Sequence, residues 1–109
     1  MTRRSAANFL ELLAGRWTLP VLLALRPGAL RFGDLRRVVN SGISNRSLSM
    51  TLRRLEGAGL VLRSDGADPR RGLYELNPDG HSLLDAMSEF LLWAETGHPD
   101  PNTRPLRAY

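Results

Sequence analysis

Residues 43–55 read Ile43-Ser44-Asn45-Arg46-Ser47-Leu48-Ser49-Met50-Thr51-Leu52-Arg53-Arg54-Leu55, and the reading of the rest of the chain depends on them. Leu48, Leu52 and Leu55 recur at the three- and four-residue spacing of one helical face, and Ile43 joins them. Asn45, Arg46, Ser49, Met50 and Arg53 gather on the opposite face, which gives a helix with an apolar back and a polar front. Ser44 has the chemistry of an N-cap, its hydroxyl accepting an N–H from the first turn. No acidic residue follows in that turn, so its other N–H groups are left for a different anion such as a phosphate.

Upstream, Asn40-Ser41-Gly42 is a turn, and Asp34 to Val39 is expected to be a helix with Leu35, Val38 and Val39 turned inward. Before it, Leu30-Arg31-Phe32 reads as a short edge strand. Downstream, Gly57 and Gly59 stop the quoted helix, and Leu60 to Arg63 and Leu73 to Leu76 read as two strands. The loop from Ser64 to Gly72 joins them. A strand, two helices and a two-stranded arm make a winged helix, whose second helix has an outward face suited to a DNA major groove.

Further out, Ser5 to Leu13 carries Phe9, Leu10 and Leu13 at helical spacing until Gly15 breaks the pattern. Arg16 to Leu25 is apolar nearly all round, which places that helix at the centre of the core, and Pro20 is tolerated if it lies in the first turn. Pro27-Gly28 ends it. Asn77-Pro78 opens a last helix running to about Glu95, with Leu83, Met87, Phe90, Leu91 and Ala94 on one stripe. The chain is thus one mostly helical α+β domain over residues 1–97, followed by a Pro-rich tail over 98–109 that is expected to be flexible.

With 109 residues the core is modest, and further stability is expected from a second subunit. Cysteine is absent, which excludes disulfides, thiolate metal sites and thiol switches within these residues; with only His81 and His98, a histidine-rich metal site is not expected either, and no cofactor is implied. No window reaches the roughly 20 apolar residues needed to span a bilayer and no signal peptide is evident, so a cytoplasmic protein without membrane attachment is expected. The formal charge of +4 is unevenly spread: residues 31–71 hold nine arginines against four acids, whereas residues 72–109 hold two against six. All fifteen basic residues are Arg, which suits two-pronged contacts to phosphate or guanine, although a G+C-rich genome produces the same bias.

Six motifs, Gly15-Arg16-Trp17-Thr18-Leu19, Arg31-Phe32-Gly33-Asp34-Leu35-Arg36, Gly42-Ile43-Ser44, Leu48-Ser49, Leu52-Arg53-Arg54-Leu55-Glu56 and Gly59-Leu60-Val61, together resemble the HxlR-type winged helix-turn-helix transcriptional regulators of bacteria. The resemblance covers roughly residues 7 to 97. It implies added N- and C-terminal helices that hold a homodimer, an inverted-repeat operator in double-stranded DNA, recognition helices in adjacent major grooves, wings near the flanking minor grooves, and control of neighbouring genes. This chain departs from the family in three ways. Many members carry an N-terminal sensing cysteine, which is missing here. The recognition helix commonly has proline after the cap and a basic residue three places past the leucine, where this chain has Asn45 and Thr51, changes expected to alter sequence preference. The strand after the wing commonly carries Val-Glu-Tyr; here it is Gly72-Leu73-Tyr74, and the glycine is expected to loosen that strand.

Arg46 and Arg53 are the candidates for base or phosphate contact, Asn45 and Ser49 for base edges and Met50 for a thymine methyl; the plainer reading is a solvated helix face. Ser44 marks the phosphate-facing helix start. Arg70 and Arg71 sit at the wing tip, suited to a minor groove or a backbone, while Arg31, Arg36 and Arg37 suit phosphates. Trp17 reads as core before ligand platform. Phe9, Met87, Phe90 and Trp93 lie on the helices expected to meet across a dimer, where they either pack or line a pocket for a flat small-molecule effector.

Three functional readings follow. The first is a DNA-binding regulator, by default a repressor. The second is a small-molecule receptor or protein-interaction module reusing the fold. The third, an enzyme, is weakest: no nucleophile–base pair, phosphate-cradling glycine loop or metal cluster is legible, and no residue, His81 included, is assigned to catalysis.

Overall fold

Leu22, Leu25, Leu35, Leu48, Leu52, Leu55, Leu84 and Val21 are all less than 2% exposed, and their positions explain the order of the elements. The computed structural model describes residues 3–64, 72–98 and 100–102. Helix α1 (Arg3–Leu13) turns at Gly15 into α2 (Thr18–Leu25), with β1 (Leu30–Arg31), α3 (Phe32–Val39), α4 (Asn45–Gly57), β2 (Val61–Ser64), β3 (Leu73–Leu76) and α5 (Pro78–Glu95) following. Helix α2 packs against α1, α3, α4, α5 and β3, the central place expected of a helix that is apolar nearly all round. Pro20 is its third residue, within the first turn, where a missing N–H leaves no bond unmade. The hydroxyl of Thr18 donates to Leu12 O at 2.7 Å, and a Cβ on Gly15 would sit 2.9 Å from that hydroxyl, so the α1–α2 turn closes tightly.

The three strands form an antiparallel sheet in the order β1-β3-β2, with Leu30 opposite Tyr74 and Val61 opposite Leu76. Val61, Tyr74 and Leu76 face the core, whereas Leu62 and Leu73 face away, the alternation a half-buried sheet requires. Strand β1 is at the edge, as the sequence implies.

Asn77 joins sheet and helices. Its Oδ1 accepts the N–H of Gly80 at 2.7 Å, its side-chain amide donates to Gly59 O, and its backbone N–H donates to Leu60 O at 3.1 Å. Gly59 has φ +75°, a left-handed turn that suits glycine. The start of α5 is thereby fastened to the end of α4. Arg26 adds a second tie, reaching Asp85 at 3.1 Å and the Ser88 hydroxyl at 3.2 Å.

One inward assignment, that of Val38, differs from the sequence expectation. Phe32 opens α3 instead of ending β1, which centres the buried face on Phe32, Leu35 and Val39 and turns Val38 outward at 56% exposure. In α1 the inward residues are Phe9, Leu12 and Leu13, with Leu10 exposed. In α5 the deeply buried residue is Leu84, and Leu83, Met87, Leu91 and Ala94 are half-buried. Phe90 is 60% exposed because only the first half of α5 is covered by the core. No single helix among the described residues is long and apolar enough to cross a membrane. The α1–α2 pair has the length and composition, but it bends by 85° and α2 spends its apolar faces on the core.

Gly80 tests the joint at Asn77, since a Cβ there would lie 2.3 Å from Leu60 O. Gly80→Ala is expected to lower the unfolding free energy in urea by about 1–3 kcal/mol, the usual cost of overpacking. A change within about 0.5 kcal/mol would show that the joint yields freely.

Candidate nucleic-acid interface

The surface around α4 is built from its turn upward. Asn40 (φ 38°) and Gly42 (φ +75°) both adopt left-handed backbone, and two such residues within three reverse the chain between α3 and α4. Arg36 spans this turn, its Nε donating to Ile43 O at 3.1 Å. Ser44 caps α4 as expected: its hydroxyl oxygen accepts the N–H of Ser47 at 3.0 Å. The first turn contains no acid.

Leu48, Leu52 and Leu55 bury the back of α4, and Asn45, Arg46, Met50 and Arg53 are exposed on its front, with Ser49 half-buried beside them. Among the described residues no hydrogen bond or ion pair engages the guanidinium of Arg46 or Arg53. Arg31 is exposed at the N-cap of α3. Arg36 is exposed too, but its Nε is committed to the turn, and Arg37 pairs with Asp34 one turn back. Thr51 belongs to the buried side. It is 7% exposed and its hydroxyl donates to Ser47 O at 2.8 Å, so this departure from the family pattern changes packing and not the outward face. Arg70 and Arg71 lie outside the described residues.

Two clefts flank α4. One, of about 510 Å³, lies at its N-terminal end and includes Gly33, Arg36, Arg37, Asn40, Gly42 and Asn45. The other, of about 540 Å³, runs between α4 and the sheet and includes Ser49, Arg53, Glu56, Arg63 and Tyr74. Arg63 was not singled out from the sequence, although strand alternation carries the signal: it falls two residues after the buried Val61, on the face where a charge is least expected. Its guanidinium carbon lies 5.9 Å from the centre of the Tyr74 ring, and a Cβ on Gly72 would come within 2.9 Å of its Nε. Gly72 is buried, and its lack of a side chain leaves room for Arg63; the expected loosening of the strand is replaced by a packing role.

The expected aromatic seam divides. Phe9 and Trp17 are half-buried against the core, with the Arg16 guanidinium 4.8 Å from the Trp17 ring centre, and Met87 is half-buried on α5. Phe90 and Trp93 face outward, their rings 6.1 Å apart, and His98 stacks on Trp93 at 4.0 Å. Among the described residues no group of three His, Cys, Asp or Glu is placed to hold a metal.

Residues 12–100 match the HxlR-like helix-turn-helix family. Over 104 residues the chain is 36% identical to an HTH-type transcriptional regulator of Mycobacterium tuberculosis H37Rv, covering 94% of this chain and 65% of that one, so it spans about two-thirds of that relative's length. It resembles the crystal structure of a MarR-family transcriptional regulator from Enterococcus faecalis V583, with a TM-score of 0.75, 36% identity and 88% of each chain covered. It also resembles the reduced form of the Bacillus subtilis transcriptional regulator YodB, with a TM-score of 0.75, 26% identity, and 89% of this chain and 94% of that one covered. YodB has been solved diamide-treated and quinone-bound as well.

The cap of α4 supplies a stability prediction. Ser44→Ala is expected to cost about 1 kcal/mol in urea unfolding and Ser44→Asp only a few tenths, because aspartate accepts the same N–H. Equal losses in the two variants would mean that the Ser47 bond is not what holds the first turn.

Proposed function

Because the chain belongs to the HxlR-like helix-turn-helix family, we propose that it is a sequence-specific, DNA-binding transcriptional regulator. The observation that carries this reading is the front of α4: Asn45, Arg46, Met50 and Arg53 exposed together on a helix whose back is locked into the core. In a major groove, Arg46 and Arg53 would take base edges or phosphates, Asn45 and Ser49 would hydrogen-bond bases, and Met50 would touch a thymine methyl. Arg31, the free nitrogens of Arg36 and the first turn after Ser44 would hold backbone phosphates, with Arg70 and Arg71 reaching the flanking minor groove.

We further propose a homodimer on an inverted repeat, acting in the cytoplasm and by default as a repressor, because a dimer across about two helical turns of DNA blocks polymerase. The exposed Leu10, Phe90, Leu92 and Trp93 on α1 and α5 support pairing through those helices. No catalytic role is proposed for any residue. Thiol oxidation as the controlling signal would need a cysteine, and these 109 residues contain none, so control by a small molecule is the reading kept. The same exposed aromatics favour a second reading, a receptor without an operator. A ligand that quenches Trp93 fluorescence while leaving DNA binding untouched would favour it.

Arg46→Ala is expected to retain its circular dichroism and lose about 1–3 kcal/mol of preference for operator over random DNA. Ser44→Asp is expected to fold yet weaken all DNA binding, through charge repulsion at the helix start. Parental operator affinity in Arg46→Ala, measured by fluorescence anisotropy, would contradict the assignment of the reading face.

A further inference from the structure

We infer that the cleft at the C-terminal end of α5 is a binding site for a small organic cation, a quaternary ammonium carried on a flat ring. The site stands on its own geometry and needs no operator, so it holds or fails apart from the DNA-binding reading. The cleft is about 450 Å³, within the range of small-molecule sites, and is lined by Phe90, Trp93, Ala94, His98, Asp100 and Pro101. The chain builds it by folding back on its own helix. The Thr96 hydroxyl donates to Leu92 O at 2.7 Å and closes the last turn, and Gly97, at φ +83°, takes the left-handed backbone that reverses the chain. His98 thereby stacks on Trp93 with ring centres 4.0 Å apart, and Phe90 adds a third ring 6.1 Å from Trp93. Asp100 supplies a carboxylate to the same cleft, its Oδ1 accepting the N–H of Asn102 at 2.7 Å.

Charge decides what this cleft takes. The chain has fifteen arginines, yet residues 72–102 contain none and hold six acids, among them Asp100 in the cleft. A cation is drawn toward such a surface and an anionic aromatic is repelled. The faces of Phe90 and Trp93 are negative and attract a cation without a hydrogen bond. A protonated amine would need acceptors for three N–H groups, and Asp100 already accepts one from its own backbone, so a cation with no N–H fits the lining better. Trp17 provides the contrast: the Arg16 guanidinium lies 4.8 Å from its ring centre, whereas among the described residues no arginine sits over Phe90 or Trp93. Pairing between two copies leaves the cleft accessible. At about 100° per residue, Leu92 lies roughly 160° round α5 from Phe90 and Ala94, so the exposed leucine and the cleft occupy different sides of the helix.

The test uses benzyltrimethylammonium as probe, with benzyl alcohol as the uncharged analogue and phenylacetate as the anionic one. In heteronuclear NMR of the whole chain, the cation is expected to shift the Trp93 indole N–H and the Ala94 and His98 amides saturably, leaving the Trp17 indole in place. Benzyl alcohol is expected to bind about tenfold more weakly, the combined pull of rings and carboxylate on the charge, and phenylacetate to give no saturable shift. Asp100→Asn keeps the shape of the side chain and is expected to lower the affinity for the cation about fivefold while leaving benzyl alcohol unchanged, a split that packing alone would not produce. Phe90→Leu, at an exposed position, is expected to weaken the cation about as much, the size of one partly exposed cation–π contact. Circular dichroism of both variants controls for folding. No saturable shift at Trp93, equal affinity for benzyl alcohol, or a cation affinity unmoved by Asp100→Asn would overturn the site. A Trp93 signal that follows protein concentration and ignores the cation would also overturn it and give the face to a second copy. A chain that prefers no operator yet shows the saturable Trp93 shift would defeat the functional reading alone.

Discussion

Everything proposed for the front of α4 depends on what holds its back. Leu48, Leu52 and Leu55 share one core cluster with Val21, Leu22 and Leu25 of α2, and fully burying each such side chain contributes about 1.5–3 kcal/mol. In a small chain that is a large share of the stability that survives the loss of conformational entropy. The packing also fixes rotation: a helix that buries three leucines in register cannot roll without uncovering them, so Asn45, Arg46, Met50 and Arg53 are held in one direction. A contact made for stability therefore aims the surface proposed to read DNA.

Hydrophobic packing is not directional along the helix axis, and polar joints supply that constraint. Arg36 bonded to Ile43 O sets the turn that leads into α4. Asn77, through Gly59 and Leu60, sets where the helix ends and where α5 begins. Arg26 to Asp85 ties α2 to the same helix, although both side chains are too exposed for that pair to add much. The second half of α5 lies beyond these joints and shows Phe90, Leu92 and Trp93 to solvent.

Elements with strong periodicity or strong caps were legible in the sequence: the leucines of α4, Ser44 and Asn77 as caps, the all-apolar α2 and the alternating β3. The misreadings share a cause. Val38 is an apolar residue placed inward on the spacing of its own helix, yet burial depends on how far a neighbouring element reaches, which spacing does not record. Thr51 and Gly72 look like losses against a family pattern, and each has a local partner invisible in one dimension: the Ser47 carbonyl for the first, the Arg63 stem for the second. Arg63 itself was legible in principle as an arginine on the buried face of a strand. Arg70 and Arg71, read from the sequence as wing-tip residues, lie outside the described residues.

The most direct test of the central claim is to capture genomic fragments from the source organism on the purified protein and sequence them at low and raised salt. A sequence-specific regulator predicts one inverted repeat enriched at both salts, its affinity falling with salt as phosphate contacts release counterions while the preference persists. Diffuse enrichment that disappears as salt rises would contradict the account and reduce the arginine-rich face to non-specific attraction.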